Sequence, residues 1–128
     1  MDGVADEDLV VARGQQCTVA WARDAAGRRW AKEFLESKDV PGKDRARIER
    51  WCQVLAETGR ICNQEQFKKE AGEIWTFKSY QVRIGAFRVG RVWYLTHGFI
   101  KKRDGWPRQQ QERAERIRTE HMNRRSRR

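Results

Sequence analysis

The sequence predicts an α+β fold: two N-terminal helices packed on a small, mainly antiparallel twisted β-sheet, followed by a C-terminal helix. Apolar residues recur with the helical period of 3.6 between residues 28 and 58, and with the strand period of 2 between residues 74 and 100. The switch between the two periods falls near Gly72. With 128 residues, 38% of them hydrophobic, the chain suits one domain with one core.

The two helices are predicted over residues 28–37 and 43–58. The second carries an apolar stripe at positions i, i+3, i+4 and i+7, formed by Ile48, Trp51, Cys52 and Leu55. The first has four apolar residues on one side, namely Trp30, Ala31, Phe34 and Leu35. Pro41 separates the helices and Gly59 stops the second, so the pair forms a helical hairpin that can cover one face of the sheet.

Three consecutive strands are predicted over residues 74–78, 81–88 and 92–100, which are rich in β-branched and aromatic residues. Alternation places Val82, Ile84 and Ala86 on one face of the middle strand, which suits a core. The opposite face then presents Gln81, Arg83, Gly85 and Phe87. In the last strand, the same alternation groups His97 with Trp93, Leu95 and Phe99.

The remaining segments set the predicted domain limits. Residues 1–12 are predicted to be a flexible acidic arm, 13–123 the single domain, and 124–128 a basic tail. A first strand is predicted over residues 17–22 with a turn at 24–27, whereas residues 60–72 read as polar and irregular. The final helix begins near Pro107, and its thin stripe predicts weak docking or dependence on a partner: Ala114, Ile117 and His121.

Charge and composition indicate the class of partner. The formal net charge of +10 favours a polyanion such as nucleic acid, the ribosome or an acidic protein. Three cysteines without CxxC spacing, and no signal peptide, predict reduced thiols in the cytoplasm. No apolar run approaches the roughly 18 residues of a membrane span, so we expect no membrane partner. Two histidines cannot make a His-rich metal site, and we expect no cofactor.

Cations and aromatic residues alternate around the predicted sheet. Lys and Arg can hold a phosphate, His can move protons near neutral pH, and aromatic rings can stack on unpaired bases. The candidates are Lys68, Lys69, Lys78, Tyr80, Arg83, Arg88, His97, Phe99, Lys101, Lys102 and Trp106. Structural roles stay open, because Arg83 could pair with a carboxylate and His97 could be a buried structural histidine. Only one of Lys101 and Lys102 can face the site if the strand continues.

Several of these residues form a recognisable pattern. The motif comprises Ile74-Trp75-Thr76-Phe77-Lys78, Arg83, His97-Gly98-Phe99-Ile100-Lys101-Lys102 and Pro107, preceded by the basic pair Lys68-Lys69. This pattern resembles the RelE/ParE toxin superfamily, and more closely its phage-derived HigB-like branch, over roughly residues 16–123. The segment before Pro107 differs, because residues 103–106 replace a Thr-Gln-Lys-Thr-like stretch of that branch.

The resemblance implies a type II toxin with a RelE-like fold, a metal-independent endoribonuclease that cuts mRNA in the ribosomal A site. It also implies a cognate helix-turn-helix antitoxin as partner. Within it, the catalytic candidates are Lys69, Arg83, His97 and Lys102. The candidates for RNA or phosphate binding are Lys68, Lys78, Tyr80, Arg88, Phe99, Lys101 and Trp106.

Two other functions remain open at this stage. A ParE-like toxin would act on DNA gyrase without cutting RNA, since that branch shares the fold without the nuclease chemistry. A basic phage or plasmid protein could bind nucleic acid without cutting it. A neighbouring gene for a small helix-turn-helix protein would favour either toxin over the third reading.

Overall fold

The structure, a computed structural model, describes residues 7–102 and 105–126. A single 3-10 turn at Glu7–Leu9 opens the described part. In chain order there follow β1 (Val10–Arg13), β2 (Thr18–Trp21), α1 (Trp30–Glu36), α2 (Gly42–Thr58), β3 (Phe67–Ala71), β4 (Ile74–Ser79), β5 (Val82–Val89), β6 (Val92–Ile100) and α3 (Arg108–Ser126). The α+β class predicted from the sequence is confirmed.

The six strands form one mixed sheet in the order β1-β2-β6-β5-β4-β3. The β2–β6 pair is parallel, whereas every other neighbouring pair is antiparallel. The prediction of three consecutive antiparallel strands between residues 74 and 100 is confirmed by β4, β5 and β6. The parallel pair needs a long crossover, and that connection contains α1 and α2.

Two strands were not predicted. Residues 10–12 were assigned to a flexible arm, yet together with Arg13 they form β1, which pairs with β2 and buries Leu9 and Ala12 beside it. Residues 60–72 were read as irregular, yet 67–71 form β3 at the opposite edge of the sheet. In β3 the charges that are typical of an edge strand, Lys68, Lys69 and Glu70, hide the alternation in the sequence. The arm residues 1–6 and the tail residues 127–128 lie outside the described part.

The helix pair covers one face of the sheet, hereafter the helix-pair face. The predicted stripe of α2 is buried, with Ile48, Cys52 and Leu55 packed in one core with Ala31 and Leu35 of α1. The first strand predicted over residues 17–22 is present as β2, and β1 also precedes the helices, so the helix pair follows two strands rather than beginning the fold. Trp30 also departs from its predicted side and packs against the core on the other face of the sheet.

The C-terminal helix covers that other face, hereafter the α3 face. Its buried residues are those of the predicted thin stripe, Ala114, Ile117 and His121, which pack in a second core with Phe87 and Tyr94. The sheet is therefore enclosed between the helix pair and α3. Within the described residues, no helix is both long and apolar enough to cross a membrane.

Candidate functional site

A β-bulge in β6 determines which residues reach the α3 face. Ile84 of β5 pairs with Gly98, but Ala86 pairs with Leu95, so β6 carries one residue more than β5 over this stretch. The bulge reverses the alternation, and His97 and Phe99 therefore lie on the α3 face, whereas Leu95 lies on the helix-pair face. The prediction that His97 shares a face with Leu95 is wrong, because alternation assumes an unbroken strand.

The two glycines at the bulge allow close packing on each side of the sheet. A Cβ on Gly98 would lie 2.2 Å from the ring of Phe34, so its absence lets α1 approach β6. A Cβ on Gly85 would lie 2.9 Å from the ring of Trp106, so its absence lets that ring pack on the α3 face. The motif thus connects three layers, with His97 toward α3, Gly98 toward α1, and Phe99 beside Trp106.

Four cations gather on the α3 face near the β4–β5 turn; we call them the basic cluster: Lys68, Lys78, Arg83 and Lys101. Lys78 and Arg83 are cross-strand partners, and Arg83 in turn pairs with Phe99. The strand ladder continues past β6, since the Lys101 N–H donates to the Gln81 carbonyl at 2.7 Å. Lys101 therefore falls on the same face as Phe99.

The positive charges of the basic cluster affect the pKa of Lys78. The pKa of Lys78 is lowered, first by desolvation and then by the positive charge of Lys68, while Glu65 opposes the shift and the other two cations add to it. Of the four cations, only Lys68 has a carboxylate within 4.0 Å among the described residues, namely Glu70 at 4.0 Å. The basic cluster is thus short of anions and suits an anionic ligand.

Arg83 is held in place by the backbone. It is 8% exposed, and its Nη1 donates to the carbonyls of Tyr80 and Val82. Burial lowers its pKa, and Glu70 acts in the opposite direction. No carboxylate lies within 4.0 Å of Arg83 in the described part of the chain. A guanidinium fixed by two carbonyls keeps its remaining N–H groups for an oxyanion.

Tyr80 stands at the edge of the basic cluster. It occupies the β4–β5 turn with a positive φ of 53° and is 73% exposed. Arg47 of α2 lies 4.8 Å from the centroid of its ring and donates to Ser79 Oγ at 3.1 Å. The predicted aromatic candidate is therefore available to solvent, and Arg47 is a neighbouring cation that the sequence alone did not identify.

The other aromatic candidates are buried. Phe99 and Trp106 pack edge to face at 4.9 Å, and Trp106 is 7% exposed. His97 is 1% exposed, and its Nε2 lies 2.9 Å from Gln110 Oε1 of α3. Burial lowers the pKa of His97 to about 4, and Arg113 contributes to that shift. His97 is consequently neutral at pH 7 and sits beneath α3.

Three other candidates lie away from the basic cluster. Lys69 pairs with Trp75, which packs in the helix-pair core, so Lys69 and Lys68 point to opposite faces. Arg88 lies on β5 five positions after Arg83, so it points to the opposite face of the sheet. It is near the far end of the strand, where its Nε donates to the Gly90 carbonyl. Lys102 is exposed just beyond β6. The structure brings none of the three beside Arg83.

The segment before Pro107 is described in part. Residues 103–104, which belong to the stretch that departs from the resembled pattern, lie outside the described residues. Gly105 follows with a φ of 73°, and Trp106 then packs onto the sheet. Within residues 7–102 and 105–126, no group of three His, Cys, Asp or Glu side chains is placed to hold a metal ion.

These observations define a class of protein: a small basic α+β domain with a cluster of cations on one face of its sheet. A family model described as phage derived protein Gp49-like (DUF891) matches residues 36–119. The chain belongs to this family, which is a RelE-like toxin family, and membership indicates a toxin-like protein. The matched range includes the whole basic cluster. No curated protein matches the chain.

Proposed function

We propose that this protein is a HigB-like type II toxin, a metal-independent endoribonuclease that cuts mRNA in the ribosomal A site and blocks translation in the cytoplasm. One observation carries the proposal: the basic cluster, in which Lys68, Arg83 and Lys101 act together on Lys78 with few nearby carboxylates. Such a cluster fits a phosphodiester better than it fits a protein carboxylate, because several cations can share the oxygens of one phosphate.

The cluster can carry out the chemistry of cyclising RNA cleavage. The 2′-oxygen attacks the adjacent phosphorus, the bond from phosphorus to the 5′-oxygen breaks, and a 2′,3′-cyclic phosphate forms. Arg83 holds phosphate oxygens through its free N–H groups and stabilises the charge that grows during attack. Lys78, whose pKa is lowered, is suited to proton exchange with the 2′-hydroxyl or the leaving 5′-oxygen.

The basic cluster offers few groups for proton transfer, and we expect dependence on the ribosome for this reason. His97 is buried beneath α3, so the proposed mechanism does not use it, and lysines are the available groups for proton transfer. A site of this kind relies on a substrate already held in an in-line geometry, and the ribosomal A site supplies one. We therefore expect free mRNA to be cut poorly.

A cognate antitoxin completes the proposal. The resemblance to the HigB-like branch implies a helix-turn-helix partner encoded beside the toxin. Its binding would keep the toxin inactive until the partner is lost. Co-expression of the neighbouring helix-turn-helix gene should restore growth, and growth arrest that persists in its presence would count against this partner.

The test of the function is induced expression followed by mapping of mRNA 5′ ends. We expect cuts within translated frames from the parent, and on the order of 10² fewer from Lys78→Gln. Arg50→Gln removes one positive charge from an exposed position of α2 and is the matched control, which should cut like the parent. An SOS response with intact mRNA would indicate gyrase instead. Growth arrest with neither signal would indicate nucleic-acid binding alone.

A further inference from the structure

A cavity of about 250 Å³ lies beside the basic cluster, between the β3–β4 hairpin and the first turns of α3. We call it the edge cavity. Its apolar lining comes from Ala71, Ile74 and Trp106, and its polar lining from Glu70, Gln111 and Glu115. It is smaller than a typical drug-sized pocket and suits one flat group.

Two of the three polar side chains that line the edge cavity are carboxylates. Glu70 and Glu115 are carboxylates, which accept hydrogen bonds when ionised. Gln111 donates one of the two N–H groups of its side-chain amide to the Trp106 carbonyl at 3.1 Å, and its side-chain oxygen remains an acceptor. A ligand of this cavity must therefore bring N–H donors and a flat apolar face.

The cavity adjoins the basic cluster through Glu70. Glu70 lines the cavity and lies 4.0 Å from Lys68, and it also favours the charged form of Arg83. Trp106 packs against Phe99, the cross-strand partner of Arg83. A ligand in the edge cavity can thus have a phosphate on the basic cluster. The same cluster repels a cationic peptide segment, which otherwise also brings donors.

We propose that the edge cavity binds a guanine base of the RNA substrate while a neighbouring phosphate lies on the basic cluster. Guanine alone presents two adjacent donors, N1–H and the N2 amino group, which match one carboxylate in a bidentate arrangement. Adenine and cytosine offer one amino group on that edge, and uracil offers one imide N–H. Trp106 and Ile74 supply apolar surface for the ring. The proposal rests on the proposed function only for the identity of the substrate.

Glu115 is the residue to test, because its side chain is half exposed and, among the residues that the structure describes, its ion pair is with Arg118 at 3.6 Å. Its replacement should leave the fold intact. The experiment titrates the full chain with guanosine, inosine, adenosine, cytidine and uridine 5′-monophosphates by calorimetry at low salt. We expect the guanosine nucleotide to bind about tenfold more tightly than the other three standard nucleotides. Inosine, which lacks the N2 amino group, should fall between.

Glu115→Gln should abolish that preference. Glu112→Gln is the matched control, since Glu112 stands one turn earlier on the same helix, pairs with Arg108 at 2.9 Å and lies outside the cavity. The control should keep the preference. A thermal melt of each variant shows whether it has folded.

Other outcomes overturn the proposal in distinguishable ways. Equal affinity for all nucleotides would leave the basic cluster as a phosphate site and remove the base pocket. Binding of arginine amide that depends on Glu115, without guanosine preference, would assign the cavity to a protein segment.

Cleavage without guanine preference, unchanged in Glu115→Gln, would overturn the pocket while the nuclease function stands. Absence of any cleavage would count against the proposed function, whereas the calorimetry would still decide the pocket.

Discussion

The two buried histidines should make folding stability strongly dependent on pH between 7 and 5. His97 and His121 both lie between α3 and the sheet, 1% and 3% exposed. Burial lowers the pKa of each from 6.5 to about 4. Positive charges add to the shift, from Arg113 and Arg116 at His97 and from three arginines at His121: Arg23, Arg124 and Arg125.

The sign and size follow from proton linkage. Between pH 6.5 and 4 the unfolded chain binds protons at these histidines and the folded protein does not, so stability falls as the pH falls. A pKa of about 4 against 6.5 corresponds to a loss of about 2 kcal/mol per histidine from pH 7 to pH 5, or about 4 kcal/mol for both. That is a large part of the stability of a typical domain.

Urea unfolding at pH 7, 6 and 5 measures this loss. With a slope of about 2 kcal/mol per molar urea, the midpoint should fall by about 2 M over the two pH units. The double variant His97→Gln, His121→Gln should be less stable at pH 7 but should lose most of the pH dependence. Asp24, whose pKa is already lowered by its hydrogen bonds to Trp30 and the backbone, titrates below this window. A constant midpoint in the parent, or an unchanged pH dependence in the double variant, would refute the reasoning.

Three further predictions concern the basic cluster and the glycine at the bulge. Arg83→Ala should lower cleavage by about 10²–10³ and Arg83→Lys should recover only part of it, as measured by growth arrest alongside a thermal melt; undiminished toxicity in a folded Arg83→Ala protein would contradict the assignment. With a net charge of +10, affinity for RNA or ribosomes should fall steeply with salt, and Lys101→Gln should reduce that slope by about 1 while Arg50→Gln should not. Gly85→Ala should cost about 1–3 kcal/mol in the free energy of unfolding, because the new Cβ would meet side-chain atoms at 2.5 and 2.9 Å. Gly42→Ala, with open space around it, is the control and should not destabilise, and equal melting of the two variants would show that the strand relaxes freely.

The sequence predicted β5 well because that strand has no irregularity. Val82 and Ile84 face the helix pair as alternation requires, and Arg83 lies on the other face. The same alternation already separates Arg88 from Arg83, since the two residues are five positions apart on one strand and therefore lie on opposite faces. The prediction grouped both arginines in one site because of their residue type, although the geometry of the strand separates them.

The rest of the site could not be predicted for specific physical reasons. The bulge in β6 leaves no mark in the alternation of apolar residues, so His97 was placed on the wrong face. The choice between Lys68 and Lys69 depends on the register of an edge strand whose charges hide its pattern. Arg47 approaches Tyr80 because α2 packs on the sheet, and the local sequence does not indicate this tertiary contact.

The single extra residue in β6 makes the length of that strand as important as its composition. Every side chain after the bulge, including Phe99 and Lys101, owes its direction to that residue. Without the bulge, the same residues in a regular strand would alternate simply, and both side chains would turn toward the helix pair, which would move one cation from the basic cluster and leave Trp106 without its neighbour. A strand without the bulge could keep every residue of the motif in order and still assemble no site, so the bulge between Leu95 and Gly98 is itself part of the functional information in this chain.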